Sequence, residues 1–494
     1  MFEEKGQTNR PGRGARAKAG CSVAIALVLA NSTFTTDATA QVAGQQFGSL
    51  FKRRTTVAGQ ETGLVIETAP EITATTIPPQ RSYYERLIDP VGGLTADDLV
   101  KHALAHNGEL TAVRRMIDEA RGKLRQAGLR ANPMLEAANS QALSGPDKTF
   151  RAGAELPLEL GGRRSARVSV AQREIELRQA EVAEFERRLA AEVRVRYASA
   201  IAAARNLKAT EDLLTLTRDA HRIVHARVER GKSAPLEQNL LMVELNRSDA
   251  MRIGIESRAE VAFSELRISV GLAPSETLRL RGEFTTDRPL PILTEATTHA
   301  LAKRPDLEAA RAAERLAGAQ VEQMRTEGKV DASIFAEYMR QRMGFDVRGI
   351  DEAGRLTPID SVFHFATFGV RLTLPVRNRN QGNLEAAVAS AEAAKNRREF
   401  AENVVKNEVA AAYARYERAQ AALNLFRDGV RDQALRNVEV IRQTYVLGQK
   451  TVLDYLSEQR RFIEVETAYT EVLKEYFESL VEIEKAAASP LPSA

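Results

Sequence analysis

Side chains able to bind or react fall at only a few places in this sequence. Gly231-Lys232-Ser233 ends like a phosphate-binding loop, but that motif needs a glycine where Ala226 stands and a strand before it. A long stretch of helical pattern precedes it here, which excludes nucleotide binding. His221 with His225, and His102 with His106, lie one helical turn apart, a spacing at which two imidazoles can reach one ion. Two nitrogens leave a coordination sphere incomplete, and no thiol or carboxylate motif stands beside either pair, so histidines on a solvated helix face are the default. Asp454 follows Gly448-Gln449-Lys450 as Glu237 follows Gly231, and an acid in a helix's first turn is favoured by the macrodipole. No nucleophile elbow, paired-carboxylate motif or glycine-rich dinucleotide turn occurs, so neither catalysis nor a cofactor is expected. The remaining carboxylates alternate with arginines in the manner of i to i+4 helix pairs.

The elements that carry these residues are unusually long. From Ser165 to Arg230 there is neither glycine nor proline, enough for one helix of ~100 Å. A near copy begins after Gly382, ends before Gly448 and is interrupted only by Gly429. Leu156-Pro157-Leu158 leads into the first and Leu374-Pro375-Val376 into the second. Pro157 and Pro375 are 218 positions apart, Gly231 and Gly448 are 217 apart, and the chain reads as a tandem duplication. Shorter helices are expected before each copy, from Thr95 to about Arg130 and from Thr294 to about Glu327, with Leu110 matching Leu307. Helices from Pro235 to Val270 and from Thr451 to Ala486 are the natural antiparallel partners. Val405, Val409, Ala412, Tyr416, Ala419, Leu423, Phe426 and Val430 form a heptad seam for such a neighbour; Val182, Phe185, Leu189, Val193, Tyr197 and Ile201 form a looser stripe.

Between the short and long helices the period changes to two. Phe150, Ala152, Ala154, Leu156 and Leu158 alternate with Thr149, Arg151, Gly153 and Glu155. Ala366, Phe368, Val370, Leu372 and Leu374 alternate with Phe365, Thr367, Gly369, Arg371 and Thr373. Partner strands are expected near Met134 to Gln141 and Asp331 to Arg340, with a long loop at Gly344 to Ser361. Four strands cannot close a barrel in a membrane, where an open edge is not tolerated, so strands whose apolar face meets lipid must be pooled from several copies.

Composition agrees with extended, packed helices: 494 residues, no tryptophan, 5% aromatic and 28% charged. The first forty residues resemble a cleaved export signal, with a basic start, an apolar run from Cys21 to Ala30 and Ala38-Thr39-Ala40 before Gln41. Cys21 is the only cysteine, so the mature chain would have no disulfide. Residues 41–93 are expected to form a polar extension, 94–280 the first repeat, and 281–494 the second repeat with a short tail. The charges are interspersed and form no basic patch, which excludes nucleic acid as a partner.

Two repeats of helix, two strands and a long helical hairpin, over about Leu94 to Ala486, resemble the outer-membrane efflux channel family typified by TolC. Leu374-Pro375-Val376-Arg377-Asn378-Arg379-Asn380-Gln381-Gly382-Asn383 and Glu159-Leu160-Gly161-Gly162-Arg163-Arg164 are most similar to its cobalt-zinc-cadmium branch. The resemblance implies a mainly α fold with a small β part. Three chains would form a periplasmic α-barrel and give four strands each to an outer-membrane β-barrel. It implies a periplasmic adaptor and an inner-membrane pump of the resistance-nodulation-division type as partners. Adaptor contacts would lie at Gly231, Lys232 and Ser233 and at Gly448, Gln449 and Lys450. Thr451-Val452-Leu453-Asp454 is similar to the family's gate segment, which puts Asp454 at the constriction with Glu237 at the equivalent place in the first repeat. Ser457 stands where some members carry a second acid. Divalent metal ions are the implied cargo, drugs and other small molecules the alternative. A periplasmic coiled-coil scaffold or adaptor without a barrel is the competing reading; it would bury the apolar strand faces in its own sheet.

Overall fold

A computed structural model describes residues 82–145, 147–284 and 290–488. The export signal, residues 41–81 of the N-terminal extension and the C-terminal tail beyond 488 lie outside the described residues. The described part of the extension holds a short helix α1 (Tyr83–Leu87) laid on the first long helix, where the Tyr83 amide donates to Glu211 at 3.1 Å.

The helices α2 (Ala96–His106) and α3 (Gly108–Ala127) precede the first hairpin. Its long arm is α4 (Arg163–Glu229), a single 67-residue helix, and α5 (Pro235–Val270) returns along it. The second repeat has α6 (Leu293–Lys303) and α7 (Pro305–Glu327). Its long arm is α8 (Gln381–Leu425), a π-helical turn at Phe426–Arg431 and α9 (Asp432–Val446), and α10 (Val452–Ala487) returns. No helix among the described residues is long and apolar enough to cross a membrane.

The shorter helices expected to run unbroken from Thr95 and Thr294 are each split, at Asn107 and Arg304, 197 positions apart. In both repeats a polar side chain at the break ties it to the end of the returning helix. Asn107 accepts from the Leu110 amide at 2.9 Å and donates to the Ser269 carbonyl at 3.1 Å. Arg304, 3% exposed, donates to the Ala486 carbonyl at 3.3 Å and pairs with Asp306 at 2.6 Å and Glu408 at 2.7 Å. Asn107 caps α3, whereas Pro305 starts α7 with the residue type suited to a first helical position.

The C-terminal caps break the repeat symmetry. Gly271 closes α5 in the left-handed region at φ 85°, and 217 positions on Ala488 takes the same conformation at φ 51°. An L-residue with a Cβ is disfavoured there by ~1 kcal/mol. Ala488→Gly is therefore expected to stabilise the protein by ~1 kcal/mol per chain, read as a raised thermal unfolding midpoint in detergent; a lowered midpoint would count against this account.

The strands β1 (Met134–Gln141), β2 (Lys148–Pro157), β3 (Asp331–Ile350) and β4 (Leu356–Thr373) form one antiparallel sheet in the order β1-β2-β3-β4. The second hairpin differs from expectation, because most of Gly344 to Ser361 is strand and not loop. β3 and β4 pair as far as Ile350 with Leu356 around a turn in which Asp351 accepts from the Ala353 and Arg355 amides. Beyond Arg342, the last residue of β3 to face β2, this hairpin extends on its own.

The core runs along the helices. Val193, Tyr197, Ile201 and Leu207 of α4 pack with Phe263 and Leu266 of α5, Leu99 and Leu110, and Phe477 of α10. The heptad seam of α8 is buried at Val405, Val409, Ala412, Ala419 and Leu423, but Phe426 is only half-buried and Val430 is exposed. The π-helical turn accounts for this departure, since it places one more residue in the turn and advances the phase. Half-buried positions resume at Arg431, Ala434, Val438, Ile441, Thr444 and Tyr445.

Candidate functional site

Two regions hold the residues singled out from the sequence: the tips of the helical hairpins and the sheet. At the tips both turns are built alike. Gly231 at φ 68° and Gly448 at φ 75° take the left-handed conformation; the Lys232 amide donates to the Arg227 carbonyl at 2.8 Å, and Gln449 to Thr444 at 3.0 Å. These are Schellman closures, in which glycine removes the Cβ penalty. Gly231, Lys232, Gly448, Gln449 and Lys450 are exposed and Ser233 is half-buried. Beneath the turns Val224 of α4, Leu241 of α5 and Val452 and Leu456 of α10 form one apolar cluster, so the two tips of a chain are packed together. Tyr445 and Tyr455 stack with centroids 5.7 Å apart, and Arg460 pairs with Glu244 at 2.5 Å.

Asp454 and Glu237 are both third residues of their helices but are held differently. Asp454 belongs to a capping box: its amide donates to Thr451 Oγ1 at 3.2 Å, and its carboxylate accepts from the Thr451 amide at 3.0 Å and hydroxyl at 2.9 Å. The Thr451 donors, amide first and hydroxyl second, hold the Asp454 carboxyl below the usual range. A depressed carboxyl contributes stability above its unfolded value near pH 4, and that contribution is lost as the pH falls through the folded value. Glu237 has no such tie, because Ala234 caps α5 without a side-chain acceptor.

In the sheet, directly paired residues share a face, so the register defines two. One carries Phe150, Ala152, Ala154 and Leu156 of β2, which sit against Arg340, Tyr338, Ala336 and Ile334 of β3; Tyr338, Ala336, Ile334 and Ala332 in turn face Ala366, Phe368, Val370 and Leu372 of β4. Phe368 is 80% exposed, Val370 61% and Leu372 59%. The apolar run ends where Tyr338 Oη and His364 Nδ1 share a hydrogen bond of 2.7 Å, followed by the Arg342–Asp360 pair. From Leu372 to His364 is ~27 Å along the strand, or ~20 Å of height at a tilt of 40°, near the ~25 Å apolar band of outer-membrane barrels.

The other face carries Glu155, which accepts from Ser333 at 2.5 Å and pairs with Arg371, together with Arg151, Glu337 and Thr367. Phe335 on this face lies over Gly369, where a Cβ would come 2.5 Å from the ring. The sheet is fastened to the helices by the residues of the two quoted motifs. Arg163 pairs with Asp331 at 2.5 Å and donates to the Lys329 carbonyl at 3.0 Å, while Asn380 donates to the Met324 carbonyl at 2.9 Å. Gly162 and Asn380, 218 positions apart, both turn the chain into a long helix in the left-handed conformation.

The histidine pairs stay pairs. The rings of His102 and His106 are 4.3 Å apart and those of His221 and His225 6.2 Å, and among the described residues no group of three or more potential ligands gathers to hold a metal ion. A surface that was not anticipated lies on the outer side of α5. Leu236, Leu240, Val243, Ala250, Gly254, Ser257, Val261, Ser264 and Ile268 are all exposed, at alternating heptad spacing interrupted only by Arg247 between Val243 and Ala250. The period was legible in the sequence, but burial alone distinguishes it from the inward face at Leu241, Ser248, Ala259 and Leu266.

Residues 99–251 and 297–489, one segment in each repeat, match the profile of the family described as outer membrane efflux protein. The chain is 24% identical over 401 residues to the cobalt-zinc-cadmium resistance protein CzcC of Cupriavidus metallidurans, covering 80% of this chain and 90% of that one. It is 26% identical over 241 residues to the nickel-cobalt-cadmium resistance protein NccC of Alcaligenes xylosoxydans xylosoxydans, covering 49% of this chain and 50% of that one. Among solved structures, CusC superposes with a TM-score of 0.63 at 16% identity over 80% of this chain and 92% of its own. The outer-membrane channel OprN does so with 0.63 at 17% over 83% and 92%. The chain belongs to the outer membrane efflux protein family, and its sheet and long helices are those of an outer-membrane protein with a periplasmic body.

Proposed function

We propose that three copies of this chain form a passive conduit through the outer membrane, completing an export complex with a periplasmic adaptor and an energised inner-membrane pump. The observation that carries the reading is that the chain is unfinished along both sides. β1 and β4 are free edges of a sheet whose apolar face is exposed, and α5 presents an exposed heptad seam along its length. An open sheet edge is untenable in lipid, and three such sheets supply twelve strands, an even number in the range of outer-membrane barrels. The exposed faces weigh against the scaffold reading, which requires them to be buried within the chain. The exposed tips at Gly231–Ser233 and Gly448–Lys450 are the surfaces offered to the adaptor.

Divalent metal cations are the proposed cargo, on the strength of relatives named for cobalt, zinc, cadmium and nickel resistance. A strain lacking the gene is expected to become sensitive to one or more of these ions; sensitivity to hydrophobic drugs alone would overturn the assignment. Asp454, with Glu237, is proposed to line the narrowest passage and to favour cations there. Asp454→Asn removes the charge but leaves an oxygen to accept from Thr451. In planar bilayers it is expected to lower cation-over-anion preference by about tenfold at low salt and less at high salt. Because the carboxyl titrates below its usual range, wild-type preference should stay flat between about pH 7 and pH 5. An unchanged preference in Asp454→Asn removes the residue from the gate.

A further inference from the structure

We infer that the outward face of the sheet, at its end away from the helices, binds the phosphates of lipid A in the outer leaflet through Lys148, Arg340 and Arg342. The inference rests on the reading of that face as lipid-facing and adds a ligand to it. The turns joining β1 to β2 and β3 to β4 lie at the end of the sheet opposite the helices, so with a periplasmic body this end meets the outer leaflet. From Leu372 up to Tyr338 the register places no charged residue on the outward face. Beyond Tyr338 that face turns basic. Arg340 lies between Phe150 and His364, and in the next row Lys148 stands directly opposite Arg342, ~5 Å higher at a strand tilt of about 40°.

Charge and height both point to an anionic headgroup. Like charges directly opposite each other on a sheet repel, and Arg340 adds a third cation as a diagonal neighbour of Lys148 at ~7–8 Å. Asp360, which pairs with Arg342, is the one acid that the register places on this face, so Lys148 and Arg340 are left without an ion pair among the described residues. The opposite face is balanced, with Arg151 beside Glu337 and Arg371 paired with Glu155. All three outward cations are exposed. They stand where the apolar band ends, just past Tyr338, whose bond to His364 holds its phenol at the level of an aromatic girdle. That is the depth of headgroup phosphates, which a guanidinium meets with paired donors and an ammonium as a point charge. The outer leaflet is built of lipopolysaccharide, and its lipid A carries two phosphates, so one molecule can engage several of these cations. Because β2 and β3 are the inner strands of the sheet, copies joined at the β1 and β4 edges leave the cluster uncovered.

The test uses the full chain, extracted from outer membranes in detergent and stripped of lipopolysaccharide, with bisphosphorylated lipid A as the probe. The double variant Lys148→Gln/Arg340→Gln is expected to bind it about thirtyfold more weakly than wild type, about fivefold for each cation removed. Arg151→Gln, on the opposite face, should bind as wild type does. Dephosphorylated lipid A and phosphatidylglycerol should each bind wild type about tenfold more weakly than the bisphosphorylated form. Without lipid the double variant loses only repulsion, so its thermal unfolding midpoint should be no lower than that of wild type, and lipid A should raise the wild-type midpoint more. Equal affinity of wild type and double variant would overturn the site, as would binding of either control lipid as tight as that of bisphosphorylated lipid A. A midpoint lowered in the lipid-free variant would assign the cations to the fold of the sheet and overturn it too. Normal assembly of Val370→Arg would remove the lipid-facing reading and this inference with it. Assembly that depends on Val370 without lipid A binding would remove the site alone.

Discussion

Val370→Arg is expected to abolish assembly into the outer membrane while leaving the helices folded. Val370 lies on the sheet face shared with Ile334 and Leu156, is 61% exposed, and has Phe368 and Leu372 as neighbours on its own strand. An arginine on a barrel's lipid face costs up to ~2–4 kcal/mol at the midplane and less towards either rim, and a barrel pooled from three chains carries the cost three times, up to ~6–12 kcal/mol. This approaches the whole stability of an ordinary domain. Thr367→Arg is the control, because Thr367 pairs with Glu337 on the opposite face and a new arginine there meets a carboxylate. The readout is the fraction recovered as folded oligomer in outer membranes, with helical content by circular dichroism as the check on folding. Normal assembly of Val370→Arg would refute the lipid-facing assignment of Phe150, Ala152, Ala154, Leu156, Phe368, Val370 and Leu372.

The features legible in the sequence are those with a period or a breaker. A run without glycine or proline and a glycine in the left-handed conformation at its end mark α4 and its turn, and strict alternation marks β2 and the lower part of β4. What stayed hidden depends on tertiary partners. Asn107-Gly108 is a local turn signal that the helical period on either side outweighs in the sequence, and the bond of Asn107 to Ser269, 162 positions away, fixes the break there. Likewise the seam of α8 reads straight through Phe426 and Val430, and only the packing of α9 on α10 selects the phase beyond the π-turn. The extra length of the second hairpin reads as loop in the sequence, and Gly344, Gly349 and Pro358 do disfavour strands, yet Pro358 lies where the ladder has just recovered from an irregularity between Phe345 and Arg348. At the tips, sequence placed Asp454 and Glu237 at equivalent positions, but the difference between a capped and an uncapped carboxylate depends on Thr451 against Ala234, a detail visible once helix starts are known.

Gly93→Ala is expected to be among the most damaging single methyls in the helical body. The segment Arg279 to Arg281 is threaded between Leu87 to Asp89 and Leu94. Asp89 donates to the Leu280 carbonyl at 2.9 Å, Leu94 to Arg279 at 2.9 Å, and Leu280 to Leu87 at 3.0 Å. Leu280 is fully buried in the main core with Leu99, Leu110, Tyr197 and Phe263. A Cβ on Gly93 would stand 2.4 Å from the Asp89 carbonyl oxygen and 2.4 Å from the Leu280 carbonyl carbon. These are backbone atoms on both sides, so relief requires prising the segment out of the core. Overpacking of this kind costs ~3 kcal/mol or more where side chains cannot yield. Gly92→Ala next to it meets only the Asp89 carboxylate at 3.1 Å, a side chain that can rotate. The pair therefore separates steric exclusion at one position from general sensitivity of the turn. Gly93→Ala should lower the thermal unfolding midpoint by several degrees in detergent, and Gly92→Ala by little. Equal midpoints would mean that the 279–281 segment is not clamped as described, and with it the anchoring of the N-terminal segment to the helical body.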